Sequence, residues 1–185
     1  MQRPSNVSEL EAALDQHDIR HYKIGVFDVD GVLTDGRIIL GADGSEHKAF
    51  DVRDGLGMVR LREAGVTLAV ITGRSSTVVE TRMRELGISH VYQGVGDKRA
   101  ALLALQSELG VSAGQTCYLG DDLPDLPAME AAGLAVAVAD ACTEVRCRAA
   151  WTTRARGGRG AARELCELIL AARAGRGPGG HDAPR

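Results

Sequence analysis

Short apolar runs alternating with amphipathic stretches set the rhythm of this 185-residue chain. Residues 24–28 are apolar up to Phe27 and end in Asp28, the pattern of a buried strand whose end meets solvent. Runs of the same kind stand at 66–71, 90–93, 116–119 and 135–138. Between them, apolar positions 56, 58, 59 and 61 predict a helix over 54–64, stopped by Gly65. Ser75 or Ser76 caps a second helix to Leu86, ended by Gly87. A third spans 98–109 before Gly110, a fourth runs from Pro124 or Asp125 to Ala132, and a last one occupies 161–174. Near the start, Ser8 caps a short helix with Leu10, Ala13 and Leu14 on one face. Residues 38–40 and 48–50 flank the turn-rich Gly41-Ala-Asp-Gly44, which predicts a β-hairpin flap within 36–50.

Strands alternating with helices predict an α/β fold, a three-layer Rossmann-like open parallel sheet with helices on both faces. The gaps between the strands hold the hairpin but leave no room for a large cap domain. The expected organisation is an N-terminal extension at 1–20, one domain at 21–174 and a disordered tail at 175–185.

Charge is unevenly placed. Residues 146–185 hold nine arginines against Glu164, Glu167 and Asp182, a net of +6, so the first 145 residues carry −9 of the overall −3. A basic tail suggests nucleic acid, but the chain has six aromatic residues and only Trp151 lies near that tail, so base-stacking platforms are missing and no nucleic-acid partner is expected. No apolar run reaches membrane-spanning length and the start lacks an apolar leader core, so no membrane partner is expected. Cys117, Cys142, Cys147 and Cys166 form no CxxC pair, as expected for buried thiols in a reducing, cytoplasmic protein.

In open parallel sheets, sites form where strands end at their carboxyl edge. The first strand is followed by Asp28-Val-Asp30-Gly and the second by Thr72-Gly73-Arg74. Asp97-Lys98 follows the third, and Gly120-Asp121-Asp122-Leu-Pro-Asp125 the fourth. Each piece alone is ordinary: a solvated turn, a strand terminator, an exposed lysine, a helix cap. Their order at successive strand ends is not. Carboxylates gathered there repel unless a cation joins them, and hard oxygen donors suit Mg²⁺. A hydroxyl and an ammonium beside that metal describe a phosphoryl pocket.

Those motifs resemble the haloacid dehalogenase superfamily of phosphatases. Phe27–Gly36, Phe50-Asp-Val-Arg-Asp-Gly55, Ile71-Thr-Gly-Arg-Ser75, Tyr92-Gln-Gly94 and Arg156-Gly-Gly-Arg-Gly-Ala161 narrow the resemblance to its phosphosugar-acid group, over roughly 20–170. The resemblance implies that Asp28 is the nucleophile and Asp30 the acid and base. It also implies that Asp28, the Asp30 carbonyl and Asp121 hold Mg²⁺, with Asp122 and Asp125 in support. Thr72, Gly73 and Lys98 would bind the phosphoryl group. The sequence departs from the family at Pro124, where asparagine is common; proline fits a first helical turn.

The implied substrate is 3-deoxy-D-manno-octulosonate 8-phosphate, in lipopolysaccharide precursor synthesis. Its nearest rival is 2-keto-3-deoxynonulosonate 9-phosphate. Arg53, Arg74 and Arg156 are the candidate partners for the sugar and its carboxylate, because a guanidinium grips a carboxylate in a fork. The Gly157-Gly158 backbone and the start of the last helix are further places for an anion. The family implies a homotetramer in which hairpins and neighbouring tails cover the sites. A receiver-like domain that accepts phosphate without hydrolysing it is the alternative from another class.

Overall fold

The computed structural model describes residues 21–174. The Ser8-capped helix expected within 1–20 and the tail expected at 175–185 lie outside the described residues. Within them, the elements run β1 Ile24–Phe27, β2 Ile39–Leu40, β3 Glu46–His47, α1 Val52–Glu63, β4 Thr67–Ile71, α2 Thr77–Glu85, β5 His90–Tyr92, α3 Lys98–Leu109, β6 Thr116–Gly120, α4 Leu126–Met129, β7 Leu134–Ala137, α5 Thr143–Arg148, β8 Trp151–Thr152 and α6 Ala161–Arg173. Six strands form one sheet in the order β5-β4-β1-β6-β7-β8, and every pairing is parallel. β2 and β3 make a separate antiparallel ribbon, the expected flap.

Strand burial explains the runs of apolar residues. β1 and β6 are buried along their whole length, because helices cover both faces of the sheet. Register then decides what meets at the edge. Phe27 pairs with Val70 on one side and with Leu119 on the other. The chain therefore leaves the sheet at Asp28, Thr72 and Asp121 along one rim.

Four differences from the pattern-based expectation have local causes. The flap's second strand is Glu46–His47 rather than 48–50, because the turn closes early: the Gly41 N–H donates to the Ser45 carbonyl at 2.8 Å. α1 begins at Val52, since the Asp51 side chain accepts from Arg53 N and caps it, and Leu56 on that helix stays exposed. The helix expected from 124 or 125 to Ala132 is a 3₁₀ turn, Leu123–Asp125, and the short α4, because the Asp122 and Asp125 side chains cap the turn. α5 and β8 went unforeseen, being six and two residues long.

α6 lies along α1 and points the same way. Asp54, buried near the start of α1, accepts from the α6 backbone at Gly160 N (3.1 Å) and Arg163 N (2.7 Å). At the other end, the Arg173 guanidinium reaches the Ala64 carbonyl at 2.5 Å and the Tyr22 carbonyl at 3.3 Å. Burial raises the Asp54 pKa despite those two bonds. The N-terminal pole of α6, expected as a place for a substrate anion, is thus occupied by a carboxylate of the chain itself. Asp54→Ala should lower the unfolding free energy by about 3 kcal/mol in urea denaturation, the lower end for two hydrogen bonds to a charged group. An unchanged midpoint would show that Asp54 does not hold the two helices together.

Candidate active site

Asp28 leaves β1, and its backbone N–H still bonds to the Leu119 carbonyl at 3.1 Å. Its carboxylate is buried, with Lys98 Nζ 2.9 Å from Oδ1. Lys98 starts α3, where Asp97 caps the helix by accepting from Ala100 N. The same ammonium donates to Asp125 Oδ1 at 2.7 Å. Asp125 is the most engaged group in the cluster. Tyr118 OH donates to its Oδ1 at 2.9 Å, while Asp121 N and Asp122 N donate to its Oδ2 at 3.0 and 3.3 Å. Asp28, Asp121 and Asp125 each offer an oxygen within 4.8 Å of the others.

The electrostatics are those of crowded acid. Burial, reinforced by the charge of Asp125, raises Asp28 to about 6 against the pull of Lys98. Burial, then the charges of Asp28, Asp125 and Asp122, raises Asp121 to about 8. Lys98 stays above its ordinary value, because attraction to Asp28 and Asp125 outweighs its own burial. Burial also pushes the Tyr118 phenol well up, so it remains a donor.

A hard divalent cation fits this donor set. Asp28 Oδ1 is buried and receives no well-aligned hydrogen bond, although Lys98 stands near it. Asp125 has both oxygens taken by four donors, so its part is to orient Lys98 and the turn after β6. Asp28 and Asp121 are left as the carboxylates open to a metal, and all-oxygen donors favour Mg²⁺.

Asp30 points elsewhere, into a ring of alternating charge. Lys48, its side chain fully buried, pairs with Asp30 Oδ1 and stands 2.9 Å from Glu46 Oε1. Arg74 closes the ring, Nε 3.8 Å from Asp30 Oδ2 and NH2 3.5 Å from Glu46 Oε2. The flap therefore folds onto the β1 turn through charge. Thr72 is buried at the end of β4, and Gly73 beside it is exposed. Asp122 is exposed and caps the 3₁₀ turn, in whose first positions Pro124 sits.

Arg74 is thus the expected arginine that the structure joins to the acidic loop. Arg53 instead pairs with Asp51 at 2.6 Å and reaches the Arg159 carbonyl at 3.4 Å. Arg156 is exposed on the loop before α6. The Gly157-Gly158 backbone, expected to approach an anion, instead packs on this chain's own β1 turn: Gly158 N donates to the Val32 carbonyl at 2.8 Å. Sequence reasoning missed Tyr118, Lys48 and Glu46. One signal for Lys48 was available. The chain has only three lysines among 22 basic residues, and two of them, Lys48 and Lys98, are buried at this site.

Strand-end carboxylates beside a buried lysine, on a parallel sheet of this order, define a phosphoryl-transfer hydrolase. A haloacid dehalogenase-like hydrolase profile matches residues 51–133. The 3-deoxy-D-manno-octulosonate 8-phosphate phosphatase KdsC of Escherichia coli K12 is 48% identical over 147 residues, covering 80% of this chain and 78% of that one. The phosphatase of that name from Moraxella catarrhalis, solved with magnesium, phosphate and a KDO molecule, superposes with a TM-score of 0.86 at 45% identity, covering 89% of this chain and 94% of that one. The cobalt-bound Haemophilus influenzae enzyme gives 0.82 at 41% identity, over 85% and 92% of the two chains. The chain belongs to the KdsC phosphatase family, within the haloacid dehalogenase-like hydrolases. It is a phosphatase, which sets the non-hydrolysing receiver alternative aside.

The raised acids make stability a test of the cation site. Between their ordinary pKa near 3.8 and about 6 for Asp28 or about 8 for Asp121, the two acids bind more protons folded than unfolded, so they subtract stability as pH rises through those windows. Asp121→Asn should raise the Tm of metal-free protein at about pH 8 and have little effect near pH 4. It should also remove the stabilisation that Mg²⁺ gives the wild type. Thermal unfolding with and without Mg²⁺ across that range measures both, and an Asn variant still stabilised by Mg²⁺ contradicts the assignment.

Proposed function

We propose that the protein is a Mg²⁺-dependent phosphomonoesterase that hydrolyses 3-deoxy-D-manno-octulosonate 8-phosphate to the free sugar acid and phosphate. The observation that carries this reading is the Asp28–Lys98–Asp125 cluster, with Asp121 beside it, on a chain of the KdsC family.

Asp28, whose Oδ1 lies 2.9 Å from Lys98 Nζ and which keeps an oxygen free where Asp125 does not, is the nucleophile. It attacks phosphorus, the bond from phosphorus to the sugar oxygen breaks, and an aspartyl-phosphate forms. In its protonated form Asp30 would give a proton to the departing sugar oxygen, and as the carboxylate so formed it would take one from the water that attacks the acyl phosphate. That second displacement releases phosphate and restores the Asp28 carboxylate. Lys98, Thr72 and Gly73 hold the phosphoryl oxygens, and Lys98 offsets charge as it accumulates. Asp28, Asp121 and the Asp30 carbonyl would hold Mg²⁺, which supplies neutralisation and orientation of the phosphoryl group when bound. Asp125 keeps Lys98 in place, and Asp122 supports the turn. Lys48, Glu46 and Arg74 keep the Asp30 side chain from wandering. Arg74, beside Asp30, is the first candidate to meet the leaving sugar, and Arg53 and Arg156 are the further candidates for its carboxylate.

The working form is a homotetramer in the cytoplasm. Ile38, Ile39 and Leu40 on the flap and Val52 and Leu56 on α1 are exposed apolar residues, which a second copy of the chain would cover. The four cysteines are free thiols, which supports a reducing compartment.

Asp28→Asn should reduce turnover on the order of 10³-fold or more, since it removes the covalent nucleophile, while leaving the Tm close to wild type. Phosphate release should depend on Mg²⁺ and favour the octulosonate over the nonulosonate ester in a panel of phosphosugar acids. Preference for the nonulosonate ester would reassign the substrate, and wild-type turnover by the Asn variant would overturn the mechanism. Light scattering at working concentration should give a mass near four chains; a fully active monomer would exclude the shared-site assembly.

A further inference from the structure

The loop before α6 carries a glycine whose place the proposed chemistry does not use. Gly157 lies against Gly31, the residue after Asp30. A Cβ on Gly157 would overlap the Gly31 carbonyl and sit 3.2 Å from Val32 N. The obstacles are backbone, so no side chain could rotate away. Gly31 is itself pinned on its other face. Its φ is +96°, and a Cβ there would fall 2.6 Å from the Asp121 Cγ. Gly157, Gly31 and the Asp121 carboxylate are therefore stacked with no slack between them.

The stack is closed by hydrogen bonds through one short segment after β7. Gly157 N donates to Asp140 Oδ1 at 3.0 Å. Two residues further on, Cys142 N donates to the Asp121 carbonyl at 2.8 Å. Ala139 N donates to the Ala155 carbonyl at 3.2 Å, and Gly158 N to the Val32 carbonyl at 2.8 Å. Residues 139–142 thus hold the backbone of Asp121 and the glycine loop together, and that loop presses on the β1 turn from behind.

We infer that Gly157, held by Asp140, is a positioning residue: through Gly31 it sets the spacing between the Asp121 carboxylate and the Asp28–Asp30 loop. The inference rests on the proposed cation site and assigns to it a support remote from any ligand atom. Changing a group that orients a metal site in this way costs about 10–100-fold in metal affinity.

The test is calorimetric titration of substrate-free protein with MgCl₂, with the metal-free Tm measured in parallel. Gly157→Ala should weaken Mg²⁺ at least about ten-fold. Asp140→Ala should weaken it in the same direction, while Asp140→Asn, which keeps an acceptor for Gly157 N, should stay within about two-fold of wild type. If Gly157→Ala does not fold, the Asp140 pair decides. Wild-type affinity in Gly157→Ala or in Asp140→Ala overturns the inference, even where the Tm has fallen, because packing alone would then account for the loop. Failure of the underlying reading looks different: Asp121→Asn would bind Mg²⁺ as tightly as wild type.

Discussion

Everything at the catalytic rim follows from forcing carboxylates together where water is scarce. Asp28, Asp121 and Asp125 are brought within a few ångströms by strand register, and burial makes each negative charge costly. Lys98 answers part of that cost by bridging Asp28 and Asp125. Three further donors, Tyr118 OH and the N–H groups of Asp121 and Asp122, answer another part by completing the bonds to Asp125. What is left over is negative, open and facing the end of β1. A buried charge network of this kind does little for stability, since desolvation cancels much of the attraction. Its value lies in holding one arrangement, and in leaving a deficit that a cation and a phosphoryl group fill together.

Five of the six parallel strands were legible as short apolar runs between helical stretches, whereas β8, two residues long, carries no such run. α3 was legible to the residue, since Asp97 caps it and Gly110 ends it in the left-handed conformation. The rim acids, Thr72 and Lys98 were legible through their order at successive strand ends. Tyr118 was not, because within an apolar strand nothing in the sequence marks which hydroxyl meets a carboxylate seven residues on. Asp54 was hidden for a related reason. As part of a helix start it looks solvated, and only the return of the chain 106 residues later buries it. Gly157 looked like a loop built to meet a ligand, whereas its missing side chain makes room for backbone.

The flap joins the body differently from the strands. Its tie to the rim is the ring of Asp30, Lys48, Glu46 and Arg74, while Ile38, Ile39 and Leu40 remain exposed. Charge points in and hydrocarbon points out, the reverse of an ordinary surface hairpin. Such a ribbon is fixed at its base by ion pairs that work only in its present orientation, and it presents an apolar edge to whatever packs above it.

The parallel run of α1 and α6 also shapes the electric field at the rim. Two helices side by side in the same sense oppose one another, because like poles are adjacent. Asp54 lies between the two positive poles, and Arg173 bears on the α1 C-terminus at Ala64. Two of the N–H groups at the start of α6 are therefore already taken by a carboxylate of the chain. Positive potential there comes from discrete side chains instead, Lys98 beneath the strand ends and Lys48 with Arg74 beside Asp30. Those cations are outnumbered by Asp28, Asp30, Glu46, Asp121 and Asp125, so a divalent cation, and not a helix end, would have to make the mouth formed by β1, β4 and β6 attractive to an anion.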